Sequence, residues 1–174
     1  MSTVSDERNM GKGEDLSAGG EGGGVRLIIF RLQREWLALR AEEIREVVQQ
    51  MRVTRVPNSP TAVVGIMNLR GRILLVFDLD LLLGLPQRRE KDTLQLVILN
   101  LADQEIDLGF LVDQVAQIRE IPVDRMKDLS TSDLGERKGA FFRGALYHEG
   151  LLVHVLDPAP IISSLMPELE EAVE

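Results

Sequence analysis

The sequence predicts a mostly β protein built from two copies of one structural unit, and three observations predict it. Gly65, Gly71 and Asp78 recur as Gly144, Gly150 and Asp157, each 79 residues further on. The apolar positions between them keep the same register, since Ile73, Leu74 and Val76 are answered by Leu152, Val153 and Val155. Short apolar runs, several rich in β-branched residues, alternate with polar or glycine-bearing turns, as strands do. The repeat extends upstream at shorter offsets: Leu27 to Leu32 resembles Leu96 to Leu101 at 69, and Ile44 and Val47 match Val115 and Ile118 at 71. Connections therefore lengthen in the second copy. Two units make a pseudo-symmetric pair and not a solenoid, and residues 25–86 and 92–160 are expected as sister subdomains. Many short strands with close turns favour small barrels or sandwiches over a helix-covered parallel sheet.

Each element has a local reason. Residues 1–24 contain seven glycines and no apolar period, so they cannot bury enough surface to offset their ordering entropy and are expected as a disordered tail. Val25 to Leu32 reads as a strand whose hairpin partner, Glu35 to Leu39, follows the polar turn at Gln33-Arg34. The run Leu27-Ile28-Ile29-Phe30 does not alternate, as expected of a strand buried on both faces. Ala41 to Val48 predicts a brief turn leading into a strand. Pro57 and Pro60 bracket an extended loop. Gly65 to Asp78 is a second hairpin turning at Arg70-Gly71. Leu94 to Leu101 and Ile106 to Val112 repeat the first hairpin around residues 102–105, where Asp103, Glu105 and Asp107 are expected at a solvated tip without the ligand spacing of a calcium loop. Asp78 and Asp157 are expected as helix caps, the second before Pro158 at the first helical position of a helix over 158–166. Gly71, Gly144 and Gly150 are expected at turns that need unusual dihedrals. Residues 167–174 read as an acidic tail.

Composition narrows the function classes. The chain has 174 residues, 44% of them hydrophobic, enough for one domain or two intimate small ones. Its net charge of -8 belongs largely to the ends: residues 1–24 carry -3 and residues 168–174 carry -4, leaving the body near -1. Without a basic excess, and with seven aromatic residues, nucleic acid is not an expected partner. Arg52, Arg55, Arg70 and Arg72 read as solvated surface arginines. Absence of cysteine excludes disulfides and thiol chemistry and agrees with a reducing compartment. No apolar run approaches the roughly 20 residues of a membrane span, so cytoplasmic localisation without membrane insertion is expected.

Catalytic signals are weak. His148 and His154 are the only histidines, and their spacing matches neither a helical zinc pair nor a nucleophile, base and orienting group. A small ligand-binding or hydrolytic barrel using these two histidines is the alternative from a different class. No phosphate loop occurs, because Gly19 to Gly24 lacks the Gly-Lys-Ser/Thr ending. No metal, cofactor or catalytic residue is therefore expected.

Three runs in order, Ile44-Arg45-Glu46-Val47-Val48, Pro57-Asn58-Ser59-Pro60 and Gly65-Ile66-Met67-Asn68-Leu69-Arg70-Gly71-Arg72-Ile73, resemble the CheW-like domain of bacterial chemosensory systems. Gly109 to Val115 and Phe142-Arg143-Gly144 resemble its later motifs, so the resemblance spans about residues 25–166. It implies two five-stranded, SH3-like β-barrel subdomains around a shared core, with short helices and a C-terminal helix. It also implies a non-enzymatic adaptor, recruited to membrane-associated arrays, that couples the cytoplasmic tip of methyl-accepting chemoreceptors to the regulatory domain of a CheA-type histidine kinase. Ile44, Glu46, Gly65, Asn68, Arg70 and Val115 match family positions at or near partner contacts. A twitching or gliding motility system would use the same domain with altered surfaces. Leu75 stands where the family frequently has proline, and the polar stretch from Ser130 to Gly139 matches no motif.

Overall fold

The computed structural model describes residues 23–49, 51–86, 94–102, 105–127 and 139–173. The expected tail up to residue 22, residue Asp103 and most of the stretch from Ser130 lie outside these.

Strands β1 (Gly24–Leu32) and β2 (Glu35–Arg40) form the first hairpin. A 3-10 turn at Ala41–Glu43 leads into β3 (Ile44–Val48), followed by β4 (Val63–Leu69), β5 (Arg72–Asp78) and the single-turn helix α1 (Leu79–Leu82). Then come β6 (Gln95–Leu99), β7 (Asp107–Val112), β8 (Gln114–Pro122), β9 (Phe142–His148), β10 (Leu151–Leu156) and helix α2 (Pro158–Val173). They form two five-stranded sheets, ordered β8-β1-β2-β10-β9 and β3-β6-β7-β5-β4. An isolated bridge joins the outer edges of each sheet, Lys127 with Ala145 in the first and Thr54 with Ile66 in the second, so each curls into a small barrel. We call these barrel A and barrel B.

The barrels do not divide where the expected halves, 25–86 and 92–160, divide. Each combines strands one and two of one copy with strands three to five of the other, so the copies have exchanged their first hairpins. Barrel B is continuous in the chain from β3 to β7 and is inserted between β2 and β8 of barrel A. The crossings are pinned alike. Asn100 N donates to Glu43 O (2.8 Å) at the first, and Asp113 N donates to Arg31 O (3.0 Å) at the second.

Exchange explains the core. One face of each first hairpin lines its own barrel: Leu27, Ile29 and Ala38 meet Leu146, Val153 and Val155 in barrel A, and Leu96, Ile98 and Leu111 meet Met67, Leu74 and Val76 in barrel B. The opposite faces meet in a central cluster that includes Phe30, Leu37 and Leu39 from barrel A and Phe77, Val97 and Phe110 from barrel B. Burial on both faces is why Leu27 to Phe30 does not alternate.

The repeated glycines and acids each have a mechanical cause. A Cβ on Gly65 would strike the carbonyl of Thr54, and one on Gly144 would sit 2.6 Å from the Lys127 oxygen, so both copies need glycine where the closing chain crosses. Arg70 and Gly71 (φ 53° and 84°) and Glu149 and Gly150 (φ 51° and 77°) turn their hairpins with two consecutive positive φ values, as two-residue type I′ loops require. Asp78 Oδ1 accepts from Asp80 N (3.0 Å) and Leu81 N (3.4 Å), and Asp157 Oδ1 accepts from Ala159 N (3.2 Å).

Helix α2 runs past the expected end at residue 166, through Pro167, to Val173. Its apolar side chains explain this: Ile161 and Leu165 are buried in the central cluster and Leu169 packs against it, continuing a four-residue stripe beyond the proline. Arg143 ties this corner to the first crossing, with Nη2 on Glu43 Oε1 (2.5 Å) and on Asp157 Oδ1 (3.1 Å). Burial opposes the charge of Arg143, but the hydrogen bond to Glu43 and the charges of Glu43 and Asp157 outweigh it and raise its pKa.

Candidate partner-binding surface

One end of barrel B gathers a network of charged side chains. β3 presents Arg45 and Glu46, the β4–β5 turn presents Arg70, β5 begins at Arg72 and β7 begins at Asp107. Arg70 holds Glu46 with both prongs of its guanidinium, Nη1 to Oε1 at 3.1 Å and Nη2 to Oε2 at 2.9 Å. Arg45 bridges the two carboxylates, with Nη2 2.8 Å from Asp107 Oδ2 and Nε 3.9 Å from Glu46 Oε1. Arg72 completes the chain with Nε on Asp107 Oδ2 (3.0 Å) and Nη2 on Asp107 Oδ1 (3.1 Å). Together with Leu69, the three arginines and Glu46 line an open depression of about 380 Å³. The side chain of Arg70 is 75% exposed, so the network ends in solvent.

Asp107 differs from its expected place at a solvated tip: it is 4% exposed. The cause is register. It pairs with Leu74, a barrel-B core residue, so its side chain enters the barrel mouth, and only the two guanidiniums make an acid tolerable there. The hydrogen bond from Arg45 holds its carboxyl below the usual carboxylate range, against burial, which pushes it up, and with further help from Arg72. A carboxylate whose folded pKa is depressed stabilises the fold above its unfolded value of about 4, and this contribution is lost as pH falls through the folded value. The melting-temperature gap between wild type and Asp107→Asn is therefore expected to be wide near neutral pH and to narrow below about pH 4. A gap independent of pH would contradict this.

The six residues matched to family contacts do not form one patch. Glu46 and Arg70 touch, and Asn68 belongs to the same turn, where its Oδ1 accepts from Gly71 N at 2.8 Å. Gly65 stands at the closing bridge of barrel B. Ile44, on β3 of barrel B, and Val115, on β8 of barrel A, both pack against the central cluster and are only partly buried. Sequence reasoning missed Arg45 and Asp107 as members of the network and read Arg72 as solvated. The usable signal was the repeat itself, because Asp107 occupies the place that Trp36 holds in the first copy, by the register Leu74–Asp107 against Val153–Trp36.

The histidines lie apart on the β9–β10 hairpin. His148 pairs with Leu151 at its tip, whereas His154 pairs with Ala145, three residues along β10, and tilts its ring against Phe142 at 5.6 Å. Among the described residues no three His, Asp or Glu side chains are grouped so as to hold a metal ion, and no helix is long and apolar enough to cross a membrane.

Comparison with known proteins agrees with this architecture. The chain is 29% identical over 139 residues to the chemotaxis protein CheW of Thermotoga maritima, an alignment covering 80% of this chain and 88% of that one. It is 31% identical over 102 residues to the protein PilI of Pseudomonas aeruginosa, covering 57% and 54%. The crystal structure of the scaffolding protein TtCheW from Thermoanaerobacter tengcongensis superposes with a TM-score of 0.70 at 22% identity, over 82% of this chain and 90% of that one, and so shares the fold. The family model for the CheW-like domain matches residues 26–166, and the chain belongs to that family.

Proposed function

We propose that the protein is a non-enzymatic coupling protein that links the cytoplasmic tip of chemoreceptors to the regulatory domain of a CheA-type histidine kinase. The observation that carries this reading is the Arg70–Glu46 pair at the end of barrel B. Glu46 fixes the guanidinium in place, and most of the arginine side chain stays open to a partner. A planar, preset fork suits a carboxylate or carbonyl on another protein. Ile44 and Val115 flank the central cluster from opposite barrels, where a helical segment can lay an apolar face.

Arg70→Ala tests the reading with little risk to the fold, because the side chain is exposed. It is expected to leave the melting temperature within about 2 °C and to weaken binding to receptor tip or kinase regulatory domain about tenfold or more, as for a central interface arginine. Biolayer interferometry with each purified partner measures it, and wild-type affinity for both would sink the assignment. Ile44→Asp is a poorer probe, since Ile44 packs on the central cluster and an acid there destabilises the fold. A second reading is an adaptor of a twitching or gliding motility system, for which the same experiment uses that system's receptor and kinase.

A further inference from the structure

We propose that the last turns of α2, residues 167–173, form a strap that opens as a unit about Pro167, and that its acidic charge holds it near the balance between docked and released. The strap follows from how proline, charge and apolar contact are divided along the helix, and it does not depend on the coupling function.

The two halves of α2 are built differently. The first is capped by Asp157, starts on Pro158 where a proline fits, and buries Ile161 and Leu165 in the central cluster. The second begins at a proline inside the helix. Pro167 has no N–H, so the carbonyl of Ser163 loses its helical donor, and the ring crowds that same carbonyl. Just before it, Ser164 Oγ donates to Ile161 O at 2.7 Å, a back-bond of the kind that weakens and bends helices. Such a joint is where a helix kinks.

Charge then opposes the second half. Glu168, Glu170 and Glu171 are exposed, and the last turn carries no basic residue. Among the described residues, no ion pair engages any of the three. The C-terminal end of a helix is the negative pole of its dipole, so a carboxylate is unfavourable there and a lysine favourable. Glu168 and Glu171, three residues apart, are also neighbours on the helix surface and repel. Leu169 stands against this. It is the one side chain among residues 167–171 that is not exposed, and it is only partly buried against the central cluster. One half-covered leucine against three misplaced carboxylates and a missing backbone bond leaves the docked and released states close in free energy. The released state is expected at about 1–10%. Release bares the part of the cluster under Leu169, and that cluster is built by both barrels.

Amide hydrogen exchange of the full chain, followed residue by residue by NMR, provides the test. Residues 168–171 are expected to share one protection factor of about 10–100, at least about 100-fold below that of residues 162–165, with the break at Pro167. Pro167→Ala restores the missing donor and is expected to remove the break. Glu170→Lys and Glu171→Lys are each expected to raise the protection of residues 168–171 about threefold at low salt, and by less in about 0.5 M NaCl, while residues 162–165 stay unchanged. Leu169→Ala is expected to lower it about fivefold. The lysine variants alter exposed side chains alone, and thermal melts confirm that each variant is folded. Protection that declines smoothly from Leu165 to the end of the helix is simple fraying and would overturn the proposal. So would a break that persists in Pro167→Ala, or lysine variants that exchange like wild type.

Discussion

Gly65→Ala is expected to lower the free energy of unfolding by about 3 kcal/mol, the upper range for forcing an added methyl into packed structure. The group it would strike is the Thr54 carbonyl, which cannot retreat because it accepts the Ile66 N–H at 2.8 Å, one of two bonds that close barrel B. Gly144→Ala is expected to cost about 2 kcal/mol at the equivalent closure of barrel A, where the Lys127 oxygen would lie 2.6 Å from the new atom. Gly71→Ala meets no atom within 4 Å and bears only the dihedral penalty, about 1 kcal/mol. Urea denaturation followed by circular dichroism ranks the three. A Gly65 variant as mild as the Gly71 variant would show that the crossing has slack and that the repeated glycine serves some other need.

Phe110→Ala is expected to cost about 3–5 kcal/mol, as for a fully buried aromatic ring. Its more informative consequence is where the loss is felt. Phe110 lies on β7 of barrel B, yet packs in the central cluster with Phe30, Leu37 and Leu39 of barrel A. Trp36, the only tryptophan, sits in barrel A. Because the ring belongs to both barrels, the urea midpoint reported by Trp36 fluorescence is expected to move with the midpoint reported by circular dichroism, in one transition. Separate transitions, with Trp36 unaffected, would mean that the barrels unfold independently.

Duplication was legible in the sequence because its markers are residues with narrow geometric roles. Gly65 and Gly144 have no room for a side chain, Gly71 and Gly150 require positive φ, and Asp78 and Asp157 each accept from the backbone two residues on. Such positions keep their identity when apolar neighbours drift. Exchange of the first hairpins was not legible, since Leu96 to Leu99 shows the same apolar pattern whether it pairs within its own copy or across. The two-faced burial of Leu27 to Phe30 could be inferred, but not what would cover each face. At the candidate surface, the family motif pointed to Glu46 and Arg70, which do meet. Asp107 was misread because two acids precede it in the same turn region, and a charge beside a turn normally faces water. Its burial depends on a parallel pairing with β5, some thirty residues earlier in sequence, that no local pattern reports. Likewise the helix expected over 158–166 does not stop there, because the packing of Leu169 on the central cluster carries α2 onward.

Insertion of barrel B into barrel A imposes an order on synthesis. The β1–β2 hairpin leaves the ribosome first, but its lateral partners β8 and β10 come last, with Leu27 waiting for Arg119 and Ala38 for Val155. Everything barrel B needs has emerged once Val112 has. The nascent protein thus completes its second barrel before its first, and the early hairpin can shelter Phe30 and Leu37 on that finished neighbour while its other face, with Leu27 and Ile29, waits for the C-terminal strands.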